Sequence, residues 1–194
     1  MSQSPHTESG GTATVVYGAI VGITVYVVGY LVTYATAASA VNRAVQGNVR
    51  LNDAGAAFAP AWKAVGWVFY DAHLVGTRLP DASGHVDLVG LSGVQFLYLV
   101  PPLLLIIAGG SVTYLTRVND PKAGVQAGLT IAIGYLLFAI IGAILVSFVG
   151  IQPDLLRAAV VAGIVYPVAC GAIGGGLVGV LRADRREIED TPLT

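Results

Sequence analysis

The sequence predicts an all-α membrane protein: a bundle of four transmembrane helices with an extracellular loop carrying a short amphipathic helix and a β-hairpin. Three observations predict it. The chain is 55% hydrophobic and 11% charged with a mean hydropathy of +0.76, where a soluble domain carries about 25% charged residues. Four apolar runs, residues 13–36, 94–115, 123–148 and 158–181, each hold no Asp, Glu, Lys, Arg or His, and each reaches the roughly 20 residues that a ~30 Å hydrocarbon core demands. Between Val94 and Leu181 the ionised residues are Arg117, Asp120, Lys122, Asp154 and Arg157, all in the gaps between runs.

Taken in order, residues 1–12 are polar and read as a disordered cytoplasmic N-terminus, followed by a single membrane domain over residues 13–182. The first run is followed by Ala38-Ser39-Ala40, which fits a signal-peptidase site. Residues 1–12 nevertheless lack Lys and Arg, and the run is longer than the roughly 7–15 residues of a signal core, so it reads as a retained span. Gly18 and Gly22 lie four apart on it, in line with Tyr26, Tyr30 and Tyr34. Hydroxyls in hydrocarbon need partners, either a polar cavity or the carbonyls of a neighbouring helix.

The long loop, residues 37–93, contains PAWKAVGWVFYDAH, Pro60 to His73. At 100° per residue Trp62, Val65, Phe69 and Ala72 form one line and Lys63, Trp67 and Asp71 the opposite one. This predicts an interfacial helix on the outer surface, a lid or docking interface built from Trp62, Lys63, Trp67, Phe69 and Tyr70, with Lys63 reaching the face of Trp67. The segment VGTRLPDASGHVDLVG then predicts a hairpin turning at Pro80 to Gly84. His73 and His85, with Asp71 and Asp87, are weak candidates for metal ligands, since their spacing matches no established motif.

The second run carries Pro101-Pro102 about seven residues, ~10 Å, from its outer end, and the fourth carries Pro167 about ten residues, ~15 Å, from its own. Both predict kinks at similar depth, so Tyr30, Tyr98, Pro101, Pro102, Tyr166 and Pro167 form a candidate vestibule. Small residues at four-residue spacing recur as Gly124 and Gly128 in the third run and Gly171, Gly175 and Gly179 in the fourth. With Gly18 and Gly22 these are the expected helix-packing positions, within the bundle or between copies.

Orientation follows from the short gaps. Arg117 and Lys122 flank the second gap, Arg182, Arg185 and Arg186 follow the fourth run, and the third gap has Arg157 alone. Both termini are therefore expected in the cytoplasm, with residues 183–194 a tail that Arg182, Arg185 and Arg186 hold at the headgroups. A net charge of −1 excludes a nucleic-acid footprint. The single cysteine, Cys170, excludes an internal disulfide and any CxxC site. No Walker loop, HExxH or GxSxG is present and the spans hold no ionisable residue, which argues against an enzyme, a cofactor and an ion-coupled pump.

At WKAVGWVFYDAH, FLYLVPPLLL and IVYPVACGAIGGG the chain resembles haloarchaeal four-span integral membrane proteins of unknown function, some loosely labelled transporters. The resemblance runs from the first span to the fourth and implies an archaeal plasma membrane, in keeping with a composition that favours Arg over Lys and Asp over Glu. The layout is also similar to that of claudin-like proteins, without their paired loop cysteines. The expectation is a structural or accessory protein that binds the lipid bilayer and a membrane-protein partner or a second copy through its outer loop. The alternative is a facilitator of a small neutral solute along the proline-kinked spans.

Overall fold

The structure, a computed structural model, describes residues 8–80 and 84–189. Helix α1 (Glu8–Gly47) is followed by α2 (Val49–Asp53), a 3₁₀ turn (Ala56–Phe58) and α3 (Ala61–Asp71). Strands β1 (Thr77–Arg78) and β2 (His85–Val86) lead to α4 (Leu88–Ser92), a 3₁₀ turn (Gln95–Leu99) and α5 (Val100–Leu115). Then come α6 (Pro121–Leu129), α7 (Ile131–Leu145), β3 (Gln152–Pro153), α8 (Leu155–Arg157), a π-helical stretch (Ala158–Val165) and α9 (Tyr166–Glu189). Four helical stretches are long and apolar enough to cross a bilayer: Gly11–Gly47, Gln95–Leu115, Pro121–Leu145 and Leu155–Arg185. Leu31, Ile107, Leu137 and Ile173 on these stretches are each more than half exposed, a surface suited to lipid rather than water. The chain is an all-α membrane protein with one small sheet.

The residues group into two compact units. The first comprises the chain up to Val25, Leu103–Tyr135, and Pro167 onward. Its helices meet backbone to backbone. A Cβ on Gly124 would strike the carbonyl of Gly175, one on Gly128 the carbonyl of Gly171, and one on Gly174 the carbonyl of Ile106. Glycines 18 and 22 likewise face Thr130 and the Ile131 carbonyl, and Gly179 faces Asp120 and Pro121. Lipid tails are as apolar as leucine, so helix association in a bilayer rests on such close van der Waals approach rather than on the hydrophobic effect.

The second unit comprises Tyr26–Pro102 and Leu136–Tyr166. Here α1 runs eleven residues past the end of the apolar run at Thr36, because Ala37, Val41 and Val45 continue its buried line at four-residue intervals. At 1.5 Å per residue the 40-residue α1 measures ~60 Å, about twice the hydrocarbon thickness. The expected amphipathic helix is present as α3, but it is not a surface element. Every residue from Ala64 to Asp71 is buried. Gly66 lies against Val146, with no room for a side chain, and the Trp67 indole N–H donates to the Val146 carbonyl at 2.9 Å. Lys63 donates to the Ser147 carbonyl at 2.7 Å and lies over Trp62 at 5.1 Å, not over Trp67. The 100° projection found two lines on α3 but could not show that protein covers both.

The hairpin forms as an antiparallel β1–β2 pair, Thr77 opposite Val86 and Arg78 opposite His85. A third strand, β3 from the gap between α7 and α8, pairs with β1 on its other side, giving the order β2-β1-β3. Residues 81–83 of the expected turn lie outside the described residues, as do residues 1–7 and 190–194 of the two tails, whereas residues 8–12 are already helical.

The prolines act otherwise than expected. Pro101 and Pro102 fall in the first turn of α5, where the 3₁₀ turn hands over to the α-helix and a missing N–H costs nothing. Ahead of Pro167 the fourth span widens into π-turns, the Tyr166 N–H bonding the Val161 carbonyl. The third span breaks at Thr130 between α6 and α7, its hydroxyl donating to the Ala127 carbonyl at 2.6 Å.

Gly128→Leu and Gly175→Leu force apart helices that touch through their backbones, and each is expected to cost about 1–3 kcal/mol, the usual range for overpacking. Gly11→Leu, where a Cβ meets nothing within 4 Å, serves as the control. Thermal unfolding in mild detergent checks the ranking; equal melting temperatures for all three would refute the packing assignment.

Candidate functional site in the loop region

Ionisable side chains of the second unit gather around the C-terminal end of α3. Helix α3 stops because the chain turns left-handed at Leu74, φ 60°, a place that glycine usually fills, with the Val75 N–H closing back on the Tyr70 carbonyl at 3.1 Å. The Leu74 side chain is left 62% exposed.

Asp71, the last residue of α3, is buried. It accepts the Thr77 hydroxyl at 3.1 Å on one oxygen and the Leu88 backbone N–H at 2.7 Å on the other. One carboxylate thus ties β1 and the start of α4 to α3. Burial pushes its pKa well above the ordinary carboxylate range, against the pull of the Leu88 and Thr77 donors, and the charge of Asp87 pushes the same way. Asp87 caps α4 through the Gly90 N–H and accepts the Tyr98 hydroxyl, both at 2.9 Å.

A second cluster forms on the sheet. The Arg78 guanidinium bonds the Asp154 carboxylate at 2.5 Å, and His85 Nε2 stands 3.4 Å from both Asp154 and the Arg78 Nε. Asp154 also caps α8 by accepting the Arg157 N–H at 3.0 Å. Its burial raises the pKa, but the Arg157 N–H, the Arg78 charge and His85 together outweigh this and hold it below the usual value. Asp154 therefore joins β1, β2 and the start of the fourth span.

Between these clusters lies a cleft of about 280 Å³ lined by Asp71, Leu74, His85, Asp87, Tyr98 and Arg157. It offers carboxylate acceptors, a phenol, an imidazole and one exposed guanidinium, which is the equipment of a binding cleft. The carboxylates are already held by backbone and hydroxyl donors, so the geometry favours holding over proton transfer.

Of the four weak metal candidates, Asp71, His85 and Asp87 line this cleft and His73 does not join them. His73 is fully buried, its Nδ1 2.7 Å from the Phe69 carbonyl and its ring 5.3 Å from that of Tyr166, whereas His85 belongs to the Asp154 cluster. Among the described residues no three His, Cys, Asp or Glu side chains are placed to hold a metal. The vestibule tyrosines of the second unit each have a neighbour of their own. Tyr98 lines the cleft, Tyr30 donates to the Trp62 carbonyl at 2.8 Å, and Tyr166 packs on His73. Of the tyrosine line, Tyr26 bonds the Tyr70 hydroxyl at 2.8 Å, and Tyr70 donates to the Ala139 carbonyl at 2.5 Å. These hydroxyls found neighbouring groups rather than a cavity. Of the five interface candidates, Trp67, Phe69 and Tyr70 are buried, leaving exposed Trp62 and half-buried Lys63 at the surface. Cys170 is half-buried.

Sequence reasoning passed over Arg78, Asp154 and Arg157. Their signal was available: Pro153-Asp154 followed three residues later by Arg157 places an N-cap at the entry of a helix.

The chain matches the model of DUF7978, a family of unknown function, over residues 1–182, and it belongs to that family. No curated protein and no solved structure matches it.

Burial lowers the His73 pKa to about 4 despite the Phe69 carbonyl, which favours the charged form. Unfolded, the ring takes a proton near 6.5. The unfolded chain therefore binds more protons below pH 6.5, and stability falls as pH drops from 6.5 toward 4, by on the order of 3 kcal/mol from this group. NMR titration of the His73 ring checks it; a midpoint near 6.5 would place the ring in water.

Proposed function

Starting from a family that carries no assigned activity, we propose that this is an accessory protein of the archaeal plasma membrane, without catalytic activity, that docks a membrane-protein partner or a second copy through its loop region. Both termini face the cytoplasm in this reading, as the basic residues beside the second gap and after the fourth run suggest. One observation carries the proposal: large apolar side chains stand out from segments beyond the four spans. Phe58 is 83% exposed in its 3₁₀ turn, Val149 is 68% exposed, and Trp62 opens α3 at the surface. Val149 has a backbone φ of 47°, which a β-branched residue resists. An apolar side chain displayed from such a backbone is more costly to keep than a polar one and is supported when something covers it.

The facilitator reading draws less support. The interior of the second unit is filled by Trp67, Phe69, Tyr70, His73 and Leu97, all essentially inaccessible. A solute path there would displace packed side chains rather than follow a preformed channel.

A photo-crosslinking amino acid at position 58, introduced in the native membrane, tests the proposal. An adduct with one defined polypeptide, or a crosslinked dimer, is the expected result, and Trp62→Ala should weaken it by about 30-fold if Trp62 is an interface anchor. Adducts with lipid alone, together with uptake of a neutral solute by proteoliposomes, would decide for the facilitator.

A further inference from the structure

In the first unit α5 and α9 run side by side in the same direction, Ile106 and Gly110 against Gly174 and Val178. With no side chain on Gly110 or Gly174, a trough opens along the outer side of the pair. It is about 510 Å³ in volume, and the exposed Ile107 and Leu177 stand on its lining. The Ser111 hydroxyl on it is spent on the Ile107 carbonyl at 2.8 Å, and apart from Tyr114 at its end the rest of the lining is apolar. At Tyr114 and Val178 it continues into a second hollow of about 510 Å³, and there the lining changes to Arg117, Asn119, Arg182 and Arg185.

The arginines are arranged as a set. Arg182 stacks over the Tyr114 ring at 4.5 Å, which fixes its guanidinium at the junction of the two hollows. Arg117 follows the end of α5 with φ 57°, and the Val118 N–H closes on the Thr113 carbonyl. Glycine is the residue that makes this turn without strain; arginine there puts a guanidinium on the hollow's lining. Among the described residues no carboxylate lies within ion-pair distance of any of the three.

An apolar trough ending in three guanidiniums that make no ion pair among the described residues has the complement of one kind of molecule. We propose that this groove binds an anionic phospholipid, its phosphate against Arg117, Arg182 and Arg185 and one hydrocarbon chain along the trough between Ile107 and Leu177. Guanidinium groups suit phosphate through paired N–H donors, and basic pockets between membrane helices are where anionic headgroups settle. A neutral lipid fills the trough equally well and leaves the arginines without a counter-charge. Free phosphate satisfies the arginines and leaves the trough unused.

Native mass spectrometry of the full chain, delipidated in detergent and titrated with dioleoyl phosphatidylglycerol or dioleoyl phosphatidylcholine, tests this. The phosphatidylglycerol adduct is expected at far lower lipid concentration. Arg182→Gln with Arg185→Gln should weaken it by on the order of 30-fold, while Arg43→Gln with Arg50→Gln, the same charge change elsewhere, leaves it unaltered. Ile107→Trp, which obstructs the trough without touching a charge, should also weaken it, and Arg182→Lys with Arg185→Lys keeps most of it. Should the Gln pair unfold, Arg117→Gln alone carries the same test with a smaller loss. Equal retention of the two lipids, or no effect of removing arginine, overturns the proposal. So does full displacement by inorganic phosphate with no effect of Ile107→Trp, which would make the hollow a free-anion site.

Discussion

Contact between bare helix backbones is the constraint on which the membrane part of this molecule depends. Inside a bilayer, helices gain nothing by hiding leucine from lipid, so what holds them is the closeness of approach. Gly124 and Gly128 of α6 meet Gly175 and Gly171 of α9, and Gly174 meets Ile106 of α5 on another face of the same helix. Helix α9 is thus packed by its glycines on two sides, which leaves its larger residues, Ile173, Leu177 and Leu181, to face outward. Its run of three consecutive glycines, Gly174 to Gly176, is weak helix-forming sequence. The bilayer offsets that weakness, because unwinding a turn in hydrocarbon would expose backbone N–H and C=O groups with no water to bond them.

The second unit solves a different problem with hydrogen bonds. Its centre is α3, eleven residues that carry two tryptophans, a lysine and an aspartate and are covered on nearly every side. Each polar group at its core is matched. The Trp67 indole reaches the Val146 carbonyl, Tyr70 the Ala139 carbonyl, and Asp71 the Leu88 N–H and Thr77 hydroxyl. The acceptors at the end of the third span are carbonyls, Val146 and Ser147, close to where α7 finishes at Leu145. The last carbonyls of a helix have no partner within it, and Lys63 and Trp67 supply two. The residues that made α3 look amphipathic are there to bond a helix end rather than to meet water.

This explains what could and could not be read from the chain. The four spans were legible because charge is excluded from them, and the glycine positions because four-residue spacing puts small residues on one face. Helix α1 outruns the apolar run because Thr36 closes that run while the buried line Ala37, Val41, Val45 continues. Hydropathy measures fitness for lipid, whereas that extension packs against protein. Pro101-Pro102 reads as a kink only if its distance from the run's edge equals its depth within a helix; the α-helix begins only at Val100. The Asp154 cluster was out of reach for another reason. Arg78, His85 and Asp154 lie far apart in sequence and are joined only by pairing of β1 with both β2 and β3. Periodicity within a segment cannot reveal it.

Asp154 and Asp71 show how the fold spends its few charges. Both carboxylates are more than nine-tenths covered, and both join segments distant in sequence, but their surroundings differ. Asp154 has a guanidinium and a helix N-terminus, so its charge is compensated and its pKa is held down. Asp71 has the uncharged donors of Leu88 and Thr77, faces a second carboxylate at Asp87, and is pushed up by burial. Two like-charged groups near one cleft of about 280 Å³ raise the cost of ionising both, and the guanidinium of Arg157 on its lining makes no ion pair among the described residues. The imbalance is therefore local to the cleft, where a polar donor would offset the cost of the two carboxylates.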